Sequence, residues 1–147
     1  LSGMGTTFVC AVVDASRLYV ANIGDSRLYV LDRDTIRQIT LDHSLVEELI
    51  RTGQLDPLKV RNHPEKNIIT RALGANEEAI PDFFEIELHM DEKILMCSDG
   101  LSNMVEDDEI QNIIIEAEQP EAAVIRLIDR ANYYGGKDNI AALVVAQ

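Results

Sequence analysis

Apolar residues in this chain gather into runs of strand length, each bordered by a turn that contains an aspartate, a glycine or both, and that punctuation limits what the chain can build. TFVCAVV (Thr7 to Val13), LYVANI (Leu18 to Ile23) and LYVL (Leu28 to Leu31) are separated only by Asp14-Ala15-Ser16 and Gly24-Asp25-Ser26. Such short connections predict an antiparallel meander of three strands. The first run is apolar on both strand faces, which predicts a strand covered on both sides. FFEIEL (Phe83 to Leu88), KILMC (Lys93 to Cys97) and IAALVVA (Ile140 to Ala146) supply three further strands.

Helical periodicity appears in two places. Ser44-Leu45-Val46-Glu47 has capping-box spacing, Leu45, Leu49 and Ile50 share a helical face, and Gly53 is a stop signal. This helix opens a polar, proline-punctuated stretch, and residues 40–73 are read as an excursion that leaves the sheet and returns to it. Between the last two strands lies a helix pair. Ile110, Ile113 and Ile114 line one helix over Asp107 to Ala117, with acids in its first turn. Pro120 starts the other, whose stripe is Ala123, Leu127, Ile128 and Ala131, and Tyr134-Gly135-Gly136 ends it. Strands in runs with a segregated helix pair define an α+β class with antiparallel sheets.

A chain of 147 residues is enough for one domain with a true core. Acids outnumber bases by 26 to 13, giving a formal net charge of -13. A surface this negative repels phosphate backbones and anionic lipid, so neither nucleic acid nor membrane is an expected partner. Cations and basic protein segments are compatible with it. No apolar run approaches the roughly 20 residues needed to cross a bilayer, and a cytoplasmic location is expected. Cys10 and Cys97 each sit in an apolar run and are read as buried free thiols, one disulfide between them being the alternative.

Three aspartates share a grammar. Asp99 follows the strand ending at Cys97, Asp138 precedes the last strand, and Asp25 lies between two strands. Antiparallel pairing of the Lys93 and Ile140 strands would bring Asp99 and Asp138 to one rim. Neighbouring glycines allow the turns that would aim all three carboxylates at one point. A cluster of this kind is self-repelling unless a hard cation neutralises it, and Mg²⁺ and Mn²⁺ favour such oxygen ligands. The plain alternative is turn chemistry, since aspartate in a turn commonly bonds its own backbone. His43, His63 and His89 lack metal-ligand spacing and are expected at the surface or behind the ligands.

The segments GMGTT, VANIGDSRLYV, ITLDHS, RNHPEKNIITRALG, MCSDGLSNMV and GGKDNIAALVV, in this order, resemble metal-dependent Ser/Thr protein phosphatases of the type 2C (PPM) family, most of all bacterial ones. The resemblance runs from Gly3 to the C-terminus. It implies an antiparallel β-sandwich flanked by helix pairs, an αββα arrangement of four layers. It also implies two Mn²⁺ or Mg²⁺ ions at one rim with provision for a third, and hydrolysis of phosphoserine and phosphothreonine by a metal-activated water. Asp99 and Asp138 match the aspartates of the metal centre, and Asp25 the aspartate of a more weakly held ion. Gly100 and Asn139 stand beside these ligands, and Asn139 is read either as orienting Asp138 or as a plain turn and strand-entry residue. The excursion matches the family's flap, where Arg61 and Arg71 either meet the substrate phosphate or pair with the abundant acids.

The family's N-terminal phosphate-binding arginine, acidic pair and DGxGG motif have no counterpart in this sequence. Residues 1–147 are therefore read as the C-terminal portion of one catalytic domain, inactive alone. The expected partners are phosphoprotein substrates, an opposing Ser/Thr kinase, and either the missing half or a second copy covering bare apolar surface. A non-catalytic regulatory or interaction domain is the competing reading.

Overall fold

The computed structural model describes residues 3–75 and 78–146, with the side chains of Arg61 and Asn62 outside that description. Two antiparallel sheets face each other. β1 (Phe8–Asp14), β2 (Arg17–Ile23) and β5 (Asp82–Glu87) form one, in the order β1-β2-β5. β4 (Ile36–Gln38), β3 (Arg27–Leu31), β6 (Lys93–Cys97) and β7 (Ala142–Val145) form the other, in the order β4-β3-β6-β7.

The core between the sheets follows from strand alternation, since every second side chain points inward. Leu18, Val20, Leu28, Val30 and Ile94 are buried there, with Val9, Ala11, Phe84, Ile86 and Met96 packed against them. The opposite face of the four-stranded sheet carries the helices α2 (Asp99–Ser102), α3 (Asp107–Glu116) and α4 (Pro120–Tyr133). Tyr29, Leu31, Leu95 and Cys97 meet Leu101, Val105, Ile110, Ile114, Leu127 and Ala131 in this second core. Each fully buried aliphatic side chain contributes about 1.5–3 kcal/mol, so the helix pair is fixed to the sheet by the stripes its sequence displays. The sequence-predicted α+β sandwich is present with three of its four layers, sheet, sheet and helices, among the described residues.

Four local expectations are corrected. The three first strands do not form one meander: β1 pairs β2, but β3 pairs β4 and β6, so the Gly24-Asp25-Ser26 link crosses between sheets. β1 is an edge strand rather than one covered on both sides, and Phe8, Val12 and Val13 are exposed. Cys10 lies on that outer face and is exposed, while Cys97 is buried and both are free thiols. In α1 (Leu45–Arg51) the buried residue is Val46, not the Leu45, Leu49, Ile50 face, because the helix docks on the side nearest the rim.

The excursion is a lobe with a closed neck. Ser44 caps α1 by accepting from the Glu47 N–H at 3.3 Å, and a 3-10 turn follows over Pro57–Asn62. At the neck Thr70 N–H donates to the His43 carbonyl at 2.8 Å and Leu45 N–H to that of Ile68 at 2.9 Å, so the two ends run side by side. Among the described residues no helix is long and apolar enough to cross a membrane.

Candidate metal centre

The register of the four-stranded sheet decides which turns share a rim. Arg27 at the start of β3 lies opposite Cys97 at the end of β6, and Cys97 lies opposite Ala142 at the start of β7. Three chain segments therefore emerge together: the one bearing Asp25, the one bearing Asp99, and the one bearing Asp138. The antiparallel pairing on which the sequence argument depended is present.

Asp99 and Asp138 are joined through backbone. Ser98 N–H donates to the Ala141 carbonyl at 3.0 Å, and Ser98 Oγ both donates to the Asn139 carbonyl at 3.0 Å and accepts from Ala141 N–H at 2.9 Å. Gly100 makes this approach possible: a Cβ there would lie 2.3 Å from the Asn139 carbonyl oxygen, which no side chain tolerates. Asn139 meets Asp138 through its backbone N–H, which donates to Oδ1 at 2.7 Å. Asn103, one turn along from Asp99, donates from Nδ2 to Asp99 Oδ2 at 3.2 Å.

Asp25 is placed by a turn that only glycine permits. Gly24 has φ +107, and a Cβ would stand 2.4 Å from Thr7 Cγ2. Two residues on, Arg27 donates from Nε and Nη2 to both carboxylate oxygens of Asp42, at 2.7 to 3.0 Å, and from Nη1 to the Tyr29 hydroxyl at 2.9 Å. Tyr29 passes the chain on by donating to Asp107 Oδ1 at 3.3 Å. A forked guanidinium–carboxylate pair of this kind holds its geometry better than a lysine could.

These charges act on one another. Burial, then the charges of Asp99 and Asp42, push the Asp25 carboxyl up to about 6, against the pull of its own backbone N–H and of Arg27. Burial, then Asp138, raises Asp99 as well, opposed by the Gly100 N–H and Arg27. Asp25, Arg27, Asp42 and Asp99 open onto one cavity of about 270 Å³, closed on its far side by Val46, Glu47, Pro57 and Val60 of the excursion. Asp138 adjoins Asp99 outside that lining.

Half-buried carboxylates that hold each other above their ordinary proton affinity are the donor set a hard divalent cation relieves. Among the described residues no group of three His, Cys, Asp or Glu side chains is arranged to hold a metal ion by itself. The acids fit a cation as part of a shell whose remaining oxygens come from water or from groups beyond these residues.

The flap candidates separate. Arg71 Nη1 donates to Asp82 Oδ1 at 3.0 Å and lines a different, smaller cavity with His43, Asp82 and Glu48. Arg61 belongs to the 3-10 turn, and its side chain lies outside the described residues. His43, expected at the surface or behind the ligands, is 4% exposed and bonded to Gly24 and Asp82. Sequence reasoning missed Arg27 and Asp42. The spacing of Asp25 and Arg27, two apart at a strand entrance, puts them on one side of the chain and was the available signal.

Residues 2–140 match the family model described as protein phosphatase 2C. Over 145 residues the chain is 45% identical to the serine/threonine phosphatase Stp of Listeria welshimeri, covering 99% of this chain and 58% of that relative. Among solved structures it is similar to the serine/threonine phosphatase Stp1 of Staphylococcus aureus, with a TM-score of 0.95 at 39% identity, covering 99% of this chain and 57% of that one. It is also similar to the catalytic domain of the serine/threonine protein phosphatase PstP in complex with 2 manganese ions, with a TM-score of 0.85 at 34% identity, covering 98% of this chain and 59% of that one. The chain thus spans less than two thirds of the length of these relatives.

Proposed function

The chain belongs to the protein phosphatase 2C family, of bacterial type, and on that premise we propose that Asp99, Asp138 and Asp25 are its share of a divalent-cation centre that hydrolyses phosphoserine and phosphothreonine in proteins. The observation that carries the reading is the convergence of Asp25 and Asp99, with Asp138 beside Asp99, at one rim facing the excursion. Manganese or magnesium, when bound, supplies an activated water and charge neutralisation for the phosphoryl group.

The chain's own residues do the rest. Asp99 and Asp138 are held at fixed separation by the Ser98 and Gly100 contacts, so they bind as a unit. Asn103 donates to one Asp99 oxygen and so helps to fix the carboxylate's orientation. Arg27, tied to Asp42, places positive charge near Asp25 and Asp99 and keeps the cluster from expelling its own anions. The excursion, residues 40–73, is the flap that walls the cavity on one side. Arg71 is engaged with Asp82 and seats that flap. The substrates are phosphoproteins made by Ser/Thr kinases.

A second reading, a non-catalytic interaction domain, draws on the absence of a complete three-ligand group among the described residues. Turns alone give no reason to aim three acids at one rim, and this favours the enzyme. The deciding experiment follows phosphate release from phosphopeptides by the complete parent protein with Mn²⁺. D99N and D138N should each lower turnover by at least about a hundredfold while far-UV circular dichroism is unchanged. Turnover within twofold of the parent in both would overturn the catalytic assignment.

A further inference from the structure

Asp25 is a half-buried carboxylate facing two others, Asp99 and Asp42, and like charges push it outward. Something must hold its backbone in place against that repulsion. Its own neighbour, Gly24, is gripped on both polar groups by one residue. His43 N–H donates to the Gly24 carbonyl at 2.9 Å, and Gly24 N–H donates to His43 Nδ1 at 3.1 Å. Asn22 Nδ2 adds a bond to the same carbonyl at 3.3 Å and reaches the Leu41 carbonyl at 3.1 Å.

The second bond fixes the imidazole's protonation pattern. A neutral imidazole has one donor and one acceptor nitrogen. Nδ1 accepts from Gly24, so Nε2 carries the hydrogen and donates to Asp82 Oδ2 at 3.0 Å; Arg71 Nη1 also lies 3.3 Å from Nε2 but, being a donor itself, is satisfied by Asp82 Oδ1 at 3.0 Å. Asp82 takes Arg71 on its other oxygen, so the carboxylate itself is held from two sides. The ring is buried, at 4% exposure.

We propose that His43 is the positioning residue for Asp25, and that Asp82 acts through it by selecting the ring tautomer that can accept from Gly24. The inference rests on the reading of Asp25 as a metal ligand for its consequence, but not for its geometry. It also gives the excursion a connection to the centre: the His43 carbonyl accepts from Thr70, so the neck of the flap and the turn bearing Asp25 share one residue.

Two substitutions split the ring's functions. H43N puts an amide oxygen near the place of Nδ1 and keeps an acceptor for Gly24. H43Q puts an amide nitrogen near the place of Nε2, keeping the bond to Asp82 and losing the acceptor. The first readout needs no metal: amide hydrogen exchange at Gly24 in the metal-free parent protein should be on the order of tenfold faster in H43Q and near the parent rate in H43N. The second is Mn²⁺ binding followed by calorimetry and electron paramagnetic resonance. The weakest bound ion should lose about tenfold in affinity in H43Q and recover to within about threefold in H43N, with tighter ions unmoved.

Equal effects of the two variants, or none, overturn the positioning role and leave the metal reading intact. Faster exchange in H43Q from a parent protein that binds no Mn²⁺ upholds the clamp and removes the metal reading instead. Should H43Q fail to fold, D82A, which frees the tautomer while keeping the ring, carries the same two measurements with the same expected direction.

Discussion

The carboxyl of Asp25 faces Asp99 and Asp42, which raise its proton affinity, and Arg27, which lowers it; burial adds the largest push. With the group at about 6 in the folded chain and about 4 when unfolded, the folded state binds the proton more tightly. Stability from this group is therefore greatest at low pH and falls as pH rises from about 4 through about 6. D25N removes the charge and should stabilise the metal-free chain at pH 7, with no advantage below about pH 4. The full shift would correspond to about 3 kcal/mol, and partial exposure of the site reduces that to about 1 kcal/mol. Thermal unfolding across pH 4 to 8 in the presence of a chelator checks it. An advantage that grows on acidification would show the sign to be wrong. At this scale the sequence was informative where a residue was chemically unusual for its place. An acid at the tip of a core strand, as in MCSDGL, is legible; His43 and Asp42 in ITLDHS were not, because their partners Gly24 and Arg27 are distant in sequence and nothing local announces them.

At the scale of elements, strands and helices were readable from period and punctuation, but their partners were not. β3 and β6 are joined by a register linking Arg27 to Cys97, and no local pattern encodes a pairing over that separation. The short Gly24-Asp25-Ser26 link suggested a hairpin and instead crosses from one sheet to the other. That crossing puts Asp25 on the rim. The same rim depends on two elements touching where Gly100 meets Asn139. G100A places a methyl carbon 2.3 Å from the Asn139 carbonyl oxygen, a backbone atom with little freedom to yield. The expected cost is about 1–3 kcal/mol of stability, from the forced separation of α2 and the β7 entrance. Urea unfolding measures it. Because Asp99 and Asp138 ride on those two segments, G100A should also weaken Mn²⁺ binding in the parent protein more than its stability loss alone explains. Unfolding within 0.3 kcal/mol of the parent, roughly the error of such a comparison, would mean the contact is loose.

The whole molecule is asymmetric in how its sheets are covered. One face of the β4-β3-β6-β7 sheet lies under α3 and α4, whereas the outer face of β1-β2-β5 has no helical layer among the described residues. Register puts Cys10, Ala21 and Phe83 in one row there, and Val12, Tyr19 and Glu85 in the next. Phe83 is 76% exposed and Val12 57%, and the patch holds an apolar hollow between Cys10, Tyr19 and Phe83. Large contiguous apolar faces mark surfaces that bind something. Arg17 and Glu85 pair across its margin, which gives the patch a polar rim. A chain of this length with that face uncovered should associate in solution, and a net charge of -13 opposes but does not prevent it. Light scattering should give a mass at least twice 16.4 kDa that falls toward the monomer in F83S/V12S. The two thiols provide an internal check. Cys97 is buried, with burial pushing its thiol up to about 12, so it should resist an aromatic disulfide reagent until the chain unfolds. Cys10 sits on the face in question and should react slowly in the associated chain and quickly in the double variant. A monodisperse monomer in which Cys10 reacts at the rate of a free thiol would show that the face is tolerated bare.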